Sequence, residues 1–430
     1  MRKNLIFSLL LVVALVSALP LTSFAQDDDM ELVSPIPGGE CTPDVAPEGD
    51  PIVVGGSLAL TGPLAATGNI HRVAGQVFVD WVNECGGLLG RPLEWDLSDD
   101  ATNPEQAVSI YTGLVESADL IVGPYAAANI LAAAGPVGQA GRIYFTHTNG
   151  APQQELGDWH FPSWQISGET PEEPWLTAAQ TVFDALDSTG NAPENMFFMT
   201  AEFPTTISLV EGAREIAAES GIEEVDYITY PIQGADFNSI ALRISAEDPD
   251  FIFVGGIGLD AVNLYNAFAD IGYAPKGLYV ALPAPGPFMA SIPELEELLG
   301  TEINAMSLTI FENHAPFSED PATAEFVTRF GEAAQAEELY STVETQAAAS
   351  FSMWQSMTAA VVATESLEDD VLKEWLLSND IDVAAGSISF DGFNGYGTDF
   401  SRVVQIQDGE RVIVWPPEFA APDVEVIYSR

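Results

Sequence analysis

The side chains that most often carry chemistry are few in this chain and poorly grouped for it. His71, His147, His160 and His314 are its only histidines. None stands four residues from another or beside a cysteine couple, so they lack the spacing of a metal site. His147 ends a short apolar run and is the histidine best placed to meet a ligand. No serine occupies the Gly-x-Ser-x-Gly turn of a nucleophile elbow. Gly256-Ile-Gly258 follows one apolar run, as a dinucleotide fingerprint would, but no acidic residue closes the next run at Leu282 to Pro285. Those glycines read instead as a tight strand-to-helix turn. With 64 Asp+Glu, no pair of carboxylates stands out as general acid and base. The expectation is a protein that is not an enzyme and carries no cofactor or metal, with a nucleotide-dependent enzyme as the remote alternative.

Cys41 and Cys85 are the only cysteines and can pair only with each other. The chain opens with Met1, Arg2, Lys3, an apolar stretch from Leu5 to Leu19, and Ser23, Phe24 and Ala25. That is the layout of an export signal, with cleavage expected after Ala25. Export to an oxidising compartment favours a disulfide, two buried thiols being the alternative. No later stretch reaches the ~20 apolar residues of a bilayer-spanning helix, so a periplasmic or extracellular protein is expected.

The 430 residues carry 13 Lys+Arg, giving a formal net charge of −51. Such a surface repels nucleic acid and anionic lipid, and no nucleic-acid partner is expected. A hydrophobic share of 47% still provides a core, so the charge does not imply disorder. The excess acid reads as solvated surface, suited to a salty or acidic habitat.

The periodicity divides into two rounds of alternating strands and helices. After an acidic, Pro- and Gly-rich linker over 26–50, Ile52 to Leu60 reads as a strand. Ile70, Val73, Ala74, Val77, Phe78, Trp81, Val82 and Cys85 then fall on one face of a helix closed by Gly86 and Gly87. Strands follow at Pro92 to Leu97, Asp119 to Val122 and Arg142 to Thr146. A connecting stretch runs from His160 to Ser167. The second round has strands at Asn195 to Thr200, Glu224 to Tyr230, Phe251 to Gly255 and Leu278 to Leu282. The last third adds a strand near Ile303 to Phe311, helices at Pro321 to Ala336 and Val343 to Thr364, and short strands near Ile388, Val403 and Val412.

Alternating elements force parallel strands, so the expected architecture is α/β with two doubly wound parallel-sheet lobes. Open sheets of this kind bind ligands outside the carboxyl ends of their strands. That rule selects Leu60 to Thr67, Gly123 to Asn129 and Thr146 to Gly150 on one wall of a cleft. It selects Thr200 to Thr205, Gly255 to Asp260 and Ala281 to Pro285 on the other. Trp159, Trp164, Trp175 and Trp354 are further candidates for stacking on a ligand, though a core place suits most of them.

Several motifs stand in a definite order: Ser57-Leu-Ala-Leu-Thr-Gly-Pro-Leu-Ala-Ala-Thr-Gly68, Asn83-Glu-Cys-Gly-Gly-Leu-Leu-Gly-Arg-Pro-Leu93 and Asp99-Asp-Ala-Thr-Asn-Pro-Glu-Gln-Ala107. Ile121-Val-Gly-Pro-Tyr125, Asp236-Phe-Asn-Ser239 and Asp250-Phe-Ile-Phe-Val-Gly-Gly256 follow. In this order the sequence resembles the type I solute-binding proteins of ABC importers, of the leucine/isoleucine/valine-binding class, over Ile52 to Phe288 and weakly beyond. The resemblance implies a three-segment hinge. One lobe would then hold residues 50–167 plus 312–387 and the other 168–311 plus 388–430, with Trp164 in the first crossing segment.

It also implies a monomer that captures a small-molecule solute and presents it to an ABC permease with a cytoplasmic ATPase. A ligand-sensing module with no transport role is the alternative. The family's amino-acid clamp is not kept. Its two hydroxyls align with Ala127 and Gly150, its tyrosines near Phe203 and Ile257, and its ammonium-binding acid near Pro283. Polar contact is left to the backbone N–H groups of Ala126 and Ala127, with His147, Thr148 and Asn149. Tyr125, Phe203, Ile257 and Pro283 offer apolar surface, and Asp260 could replace the lost acid. The expected solute is an amino acid, amide or carboxylate with an apolar body.

Overall fold

A computed structural model of the chain describes residues 33–147, 159–164, 176–390 and 401–429. The export signal, and with it Ala25, lies outside the described residues. The first round builds β1 (Ile52–Leu58), α1 (Ala65–Glu84), β2 (Leu93–Asp99), α2 (Pro104–Ser117), β3 (Leu120–Val122), α3 (Ala127–Gln139), β4 (Tyr144–Thr146) and β5 (His160–Pro162). These strands form one parallel sheet in the order β2-β1-β3-β4-β5. β1 and β2 run in register from Ile52 against Leu93 to Leu58 against Asp99. The face of α1 read from the sequence is buried, including Ile70, Val73, Ala74, Phe78, Trp81 and Val82.

The second round builds α4 (Leu176–Ser188), β6 (Asn195–Ala201), α5 (Pro204–Glu219), β7 (Glu223–Tyr230), α6 (Phe237–Glu247), β8 (Phe251–Gly258), α7 (Asp260–Ile271), β9 (Leu278–Pro283), α8 (Pro285–Leu299) and β10 (Met306–Thr309). The remainder supplies α9 (Pro321–Ala336), α10 (Thr345–Thr364), α11 (Asp369–Leu376), β11 (Ile381–Val383), β12 (Gly386–Ile388), β13 (Arg402–Gln407) and β14 (Glu410–Trp415). The second sheet runs β14-β13-β10-β9-β8-β6-β7.

Two expectations need correction. The stretch from His160 is not all connection, because His160, Phe161 and Pro162 pair in parallel with Tyr144, Phe145 and Thr146 as an edge strand. Only three residues long, it has too little pattern to be seen as a strand in the sequence. Nor is the second sheet wholly parallel: β13 pairs antiparallel with β10, and β14 with β13. The two-residue turn at Asp408-Gly409, with φ of 51° and 76°, joins β13 and β14 as a hairpin, which only antiparallel strands allow.

The last third serves both lobes. α9 and α10 pack on α1, while β13 and β14 extend the second sheet. α10 is buried on all sides from Ala347 to Val361, as suits a helix hydrophobic or small all round. Trp354 lies at its centre, fully buried against Phe78 and Trp95, and is a core residue. Trp164 is also buried. Cys41 and Cys85 form a disulfide with Cα atoms 4.3 Å apart, fixing the segment before β1 to the end of α1. Among the described residues no helix is long and apolar enough to cross a membrane.

Candidate functional site

The strand ends differ in how the following helix is started. The helices after the edge strands β2 and β7 have side-chain caps, from Asn103 to Glu105 N and Gln106 N and from Asp236 to Ser239 N. Those after the inner strands β1, β3, β6, β8 and β9 have no side-chain cap. Their first N–H groups are donors aimed along the strand direction, the geometry with which helix N-termini receive carboxylates and other anions.

The first-lobe wall is built on β3 and β4. Gly123 lets the two strand ends meet closely, since a Cβ there would stand 2.5 Å from Thr146 and 2.9 Å from the Tyr144 ring. Tyr125 and Ala126 follow, and Ala127 opens α3. Ala126 adopts φ 83° and ψ 132°, a region that residues with a Cβ avoid. Strain of this kind costs about 1–3 kcal/mol and concentrates at ligand-binding positions. His147 is fully buried, with its ring 4.9 Å from that of His71, which in turn lies 4.7 Å from Tyr125. Among the described residues, neither ring nitrogen of His147 has a hydrogen-bond partner. His71 Nε2 lies 3.0 Å from Gln346 Oε1, an acceptor, so Nε2 donates, and Nδ1 is a lone pair that meets no donor among the described residues. Thr148, Asn149 and Gly150 lie outside the described residues.

The second-lobe wall brings its expected residues together. Gly258 pairs with Pro283, placing Ile257 and Pro283 at adjoining strand ends. Phe203 precedes α5 and is half-buried on the edge of the second-lobe core. Asp260 starts α7, where its Oδ2 accepts from Tyr230 Oη at 2.8 Å and Ile257 N at 2.9 Å. Burial raises its pKa, against the two donors. It therefore closes its own turn first and offers only its second oxygen to a solute. None of the six strand-end segments holds a Lys or Arg.

The residues that sequence reasoning missed lie where the chain passes from β10 to α9. Arg411 of β14 donates to Glu312 Oε1 from Nη2 at 2.6 Å and Nε at 3.0 Å, in a pair only 9% and 5% exposed. Thr309 of β10 and Thr345 of α10 share a hydroxyl hydrogen bond of 2.9 Å. Glu344 caps α10 by accepting from Gln346 N at 2.9 Å. Burial pushes its pKa up to about 7; the Gln346 and Ala347 N–H groups and Arg411 oppose the rise, and Glu312 adds to it. No local pattern distinguishes these acids from the rest.

The buried imidazoles set the response to acid. Burial pushes His71 and His160 down to about 3, and His147 well below its ordinary value of 6.5. Below pH 6.5 the unfolded chain binds protons at these positions and the folded chain does not, so stability falls as pH falls. The loss is on the order of 1 kcal/mol per imidazole for each pH unit. Glu344 acts with the opposite sign between about 7 and 4.5, where the folded chain is the better proton acceptor. The steepest fall is thus expected below pH 4.5. Melting curves between pH 3.5 and 7 will show it, and a His147→Phe variant should lose less stability over that interval.

The family profile described as "Periplasmic binding protein" matches residues 51–411. The chain belongs to the periplasmic binding protein family. It is a solute-binding protein, and its fold is that of the family's solved members. Among its relatives are the Leu/Ile/Val-binding protein BraC3 of Rhizobium johnstonii, 25% identical over 51% of this chain and 59% of the relative. A Leu/Ile/Val-binding protein homolog of Brucella suis is 21% identical over 79% of this chain and 86% of the relative. The fold matches the Streptococcus pneumoniae branched-chain amino acid transporter substrate binding protein LivJ in complex with isoleucine, with a TM-score of 0.65 and 17% identity, over 85% of this chain and 100% of that one. It also matches a Rhodopseudomonas palustris ABC-transporter solute binding protein in complex with benzoate, with a TM-score of 0.67 and 16% identity, over 88% of this chain and 99% of that one.

Proposed function

We propose that this periplasmic binding protein is the extracytoplasmic receptor of an ABC importer, closing two lobes on a small solute and presenting the closed form to a permease served by a cytoplasmic ATPase. In this reading the chain is exported, cleaved after Ala25 and acts as a monomer. One lobe comprises residues 50–167 plus 312–387 and the other 168–311 plus 388–430, which agrees with α9 and α10 packing on α1 and with β13 and β14 joining the second sheet. The observation that carries the reading is the strained backbone at Ala126 before the uncapped N-terminus of α3. A solute carboxylate or amide carbonyl placed there takes N–H groups that no side chain among the described residues uses. Tyr125, Phe203, Ile257 and Pro283 surround an apolar body.

The reading favours a solute that is neutral overall. A lone anion finds no Lys or Arg at the strand ends, and a lone cation finds Asp260 already engaged. Amino acids, as zwitterions, and amides satisfy both conditions.

A thermal-shift panel of amino acids, aliphatic and aromatic acids, amides and sugars tests this. The true solute at a hundred times its dissociation constant stabilises the folded chain by about 2.7 kcal/mol. A response to amino acids or amides is expected. A response confined to sugars would refute the assignment of solute class, and conversion of the bound compound to a product would refute the receptor itself.

A further inference from the structure

The passage from β10 to α9 carries the chain from the second lobe to the first, and around it lies a buried cluster with more carboxylate than cation. Arg411 comes from the second sheet, Glu312 from the passage itself, and Glu344 from the start of α10 in the first lobe. Glu312 holds the guanidinium directly, so Glu344 receives only what attraction remains at longer range. Tyr340 adds a contact between the lobes. A Cβ on Gly286, in the first turn of α8, would stand 3.0–3.2 Å from Cδ2, Cγ and Cβ of Tyr340, so this side chain packs directly on that turn. Glu344 is 5% exposed in this arrangement.

We propose that Glu344 is a positioning residue for lobe closure, its ionised carboxylate favouring the open cleft and its neutral carboxyl the closed one. Parting the lobes lifts Tyr340 from Gly286 and admits water to the start of α10. An ion gains more from water than a neutral carboxyl does. Burial is the largest influence on Glu344, ahead of the opposing Arg411, so hydration on opening outweighs the weakened attraction. Closure then takes up a proton, and solute affinity falls as pH rises toward about 7, by up to tenfold per unit, and levels off above it, where Glu344 is ionised in both forms.

Among the described residues, the charged and titratable groups around Glu344 are Arg411, Glu312, Tyr340 and, from the β3–α3 loop, Tyr125. His314 faces Glu312. His71, reached through Gln346, and His147 behind it stay neutral throughout this range.

The inference rests on the receptor reading, but its test needs no solute. Small-angle scattering of the whole exported chain at fixed ionic strength, from pH 5.5 to 8.5, should show the radius of gyration rising through a step near neutrality. Glu344→Gln should abolish the step and stay compact throughout. Glu312→Gln leaves Arg411 to Glu344 alone and should move the midpoint to lower pH, which decides the matter if the first variant fails to fold. A flat wild-type profile, a step unchanged in Glu344→Gln, or a midpoint unmoved in Glu312→Gln overturns the inference. A solute panel that fails beside a pH step that survives would count against the receptor reading alone.

Discussion

Replacing Cys41 and Cys85 together by serine is expected to lower the free energy of unfolding by about 4 kcal/mol in the chain-entropy account of cross-links, given a sequence separation of 44 between the half-cystines. The loss lies mainly in the unfolded chain, which regains the freedom of a loop containing β1 and α1. Folded contacts outlast the bond. Thr42 donates to Cys85 O from both its backbone N and its hydroxyl, at 3.0 and 3.1 Å, and Gln355 Nε2 donates to Pro35 O at 3.2 Å. The segment before β1 therefore stays docked on α1 and α10 under native conditions. The urea midpoint should fall with little change in the native fold, and reduction of the wild type should reproduce the shift. A midpoint equal to that of the oxidised wild type would mean that the unfolded chain already keeps Cys41 near Cys85.

The parts of the fold legible in the sequence are those whose contacts repeat locally. α1 could be read because its buried residues recur at helical spacing, and β1 and β8 because sheet burial on both faces leaves continuous apolar runs. β5 is not legible because three residues carry no period, and its pairing with β4 is a property of the sheet. The antiparallel end of the second sheet is not legible because strand direction follows from the connection, which the β-α rhythm no longer governs after β10.

The site divides in the same way. The strand-end positions of Ala126, Ala127, Phe203, Ile257, Asp260 and Pro283, candidates for the site, are legible because strand ends can be located once strands are known. What Asp260 does there is not, since its tie to Tyr230 joins residues thirty apart through the fold. Glu312 and Arg411 are 99 residues apart and meet only where β14 closes the second sheet over the passage to α9. In a chain with 64 acidic residues, Glu344 becomes visible only through its burial.

Arg411→Met should be among the most damaging single substitutions in the protein, costing about 3–5 kcal/mol at pH 8, because it strands Glu312 and Glu344 in the interior without a guanidinium. The size of the loss should depend on pH in a defined direction. Burial already raises the pKa of both carboxyls, and Arg411 opposes the rise in each. Without it both rise further in the folded chain, while the unfolded chain keeps ordinary carboxyls. Each group then favours unfolding more strongly at high pH and relents as pH falls and the folded chain takes up protons. Urea titrations at pH 8 and pH 5.5 should therefore show a large loss at the first and a clearly smaller one at the second. Combining Arg411→Met with Glu312→Gln and Glu344→Gln should recover much of the stability at pH 8, since amides of similar shape cost far less to bury than ions. An equal loss at both pH values, or no recovery in the triple variant, would show that Arg411 supports this region by packing rather than by charge.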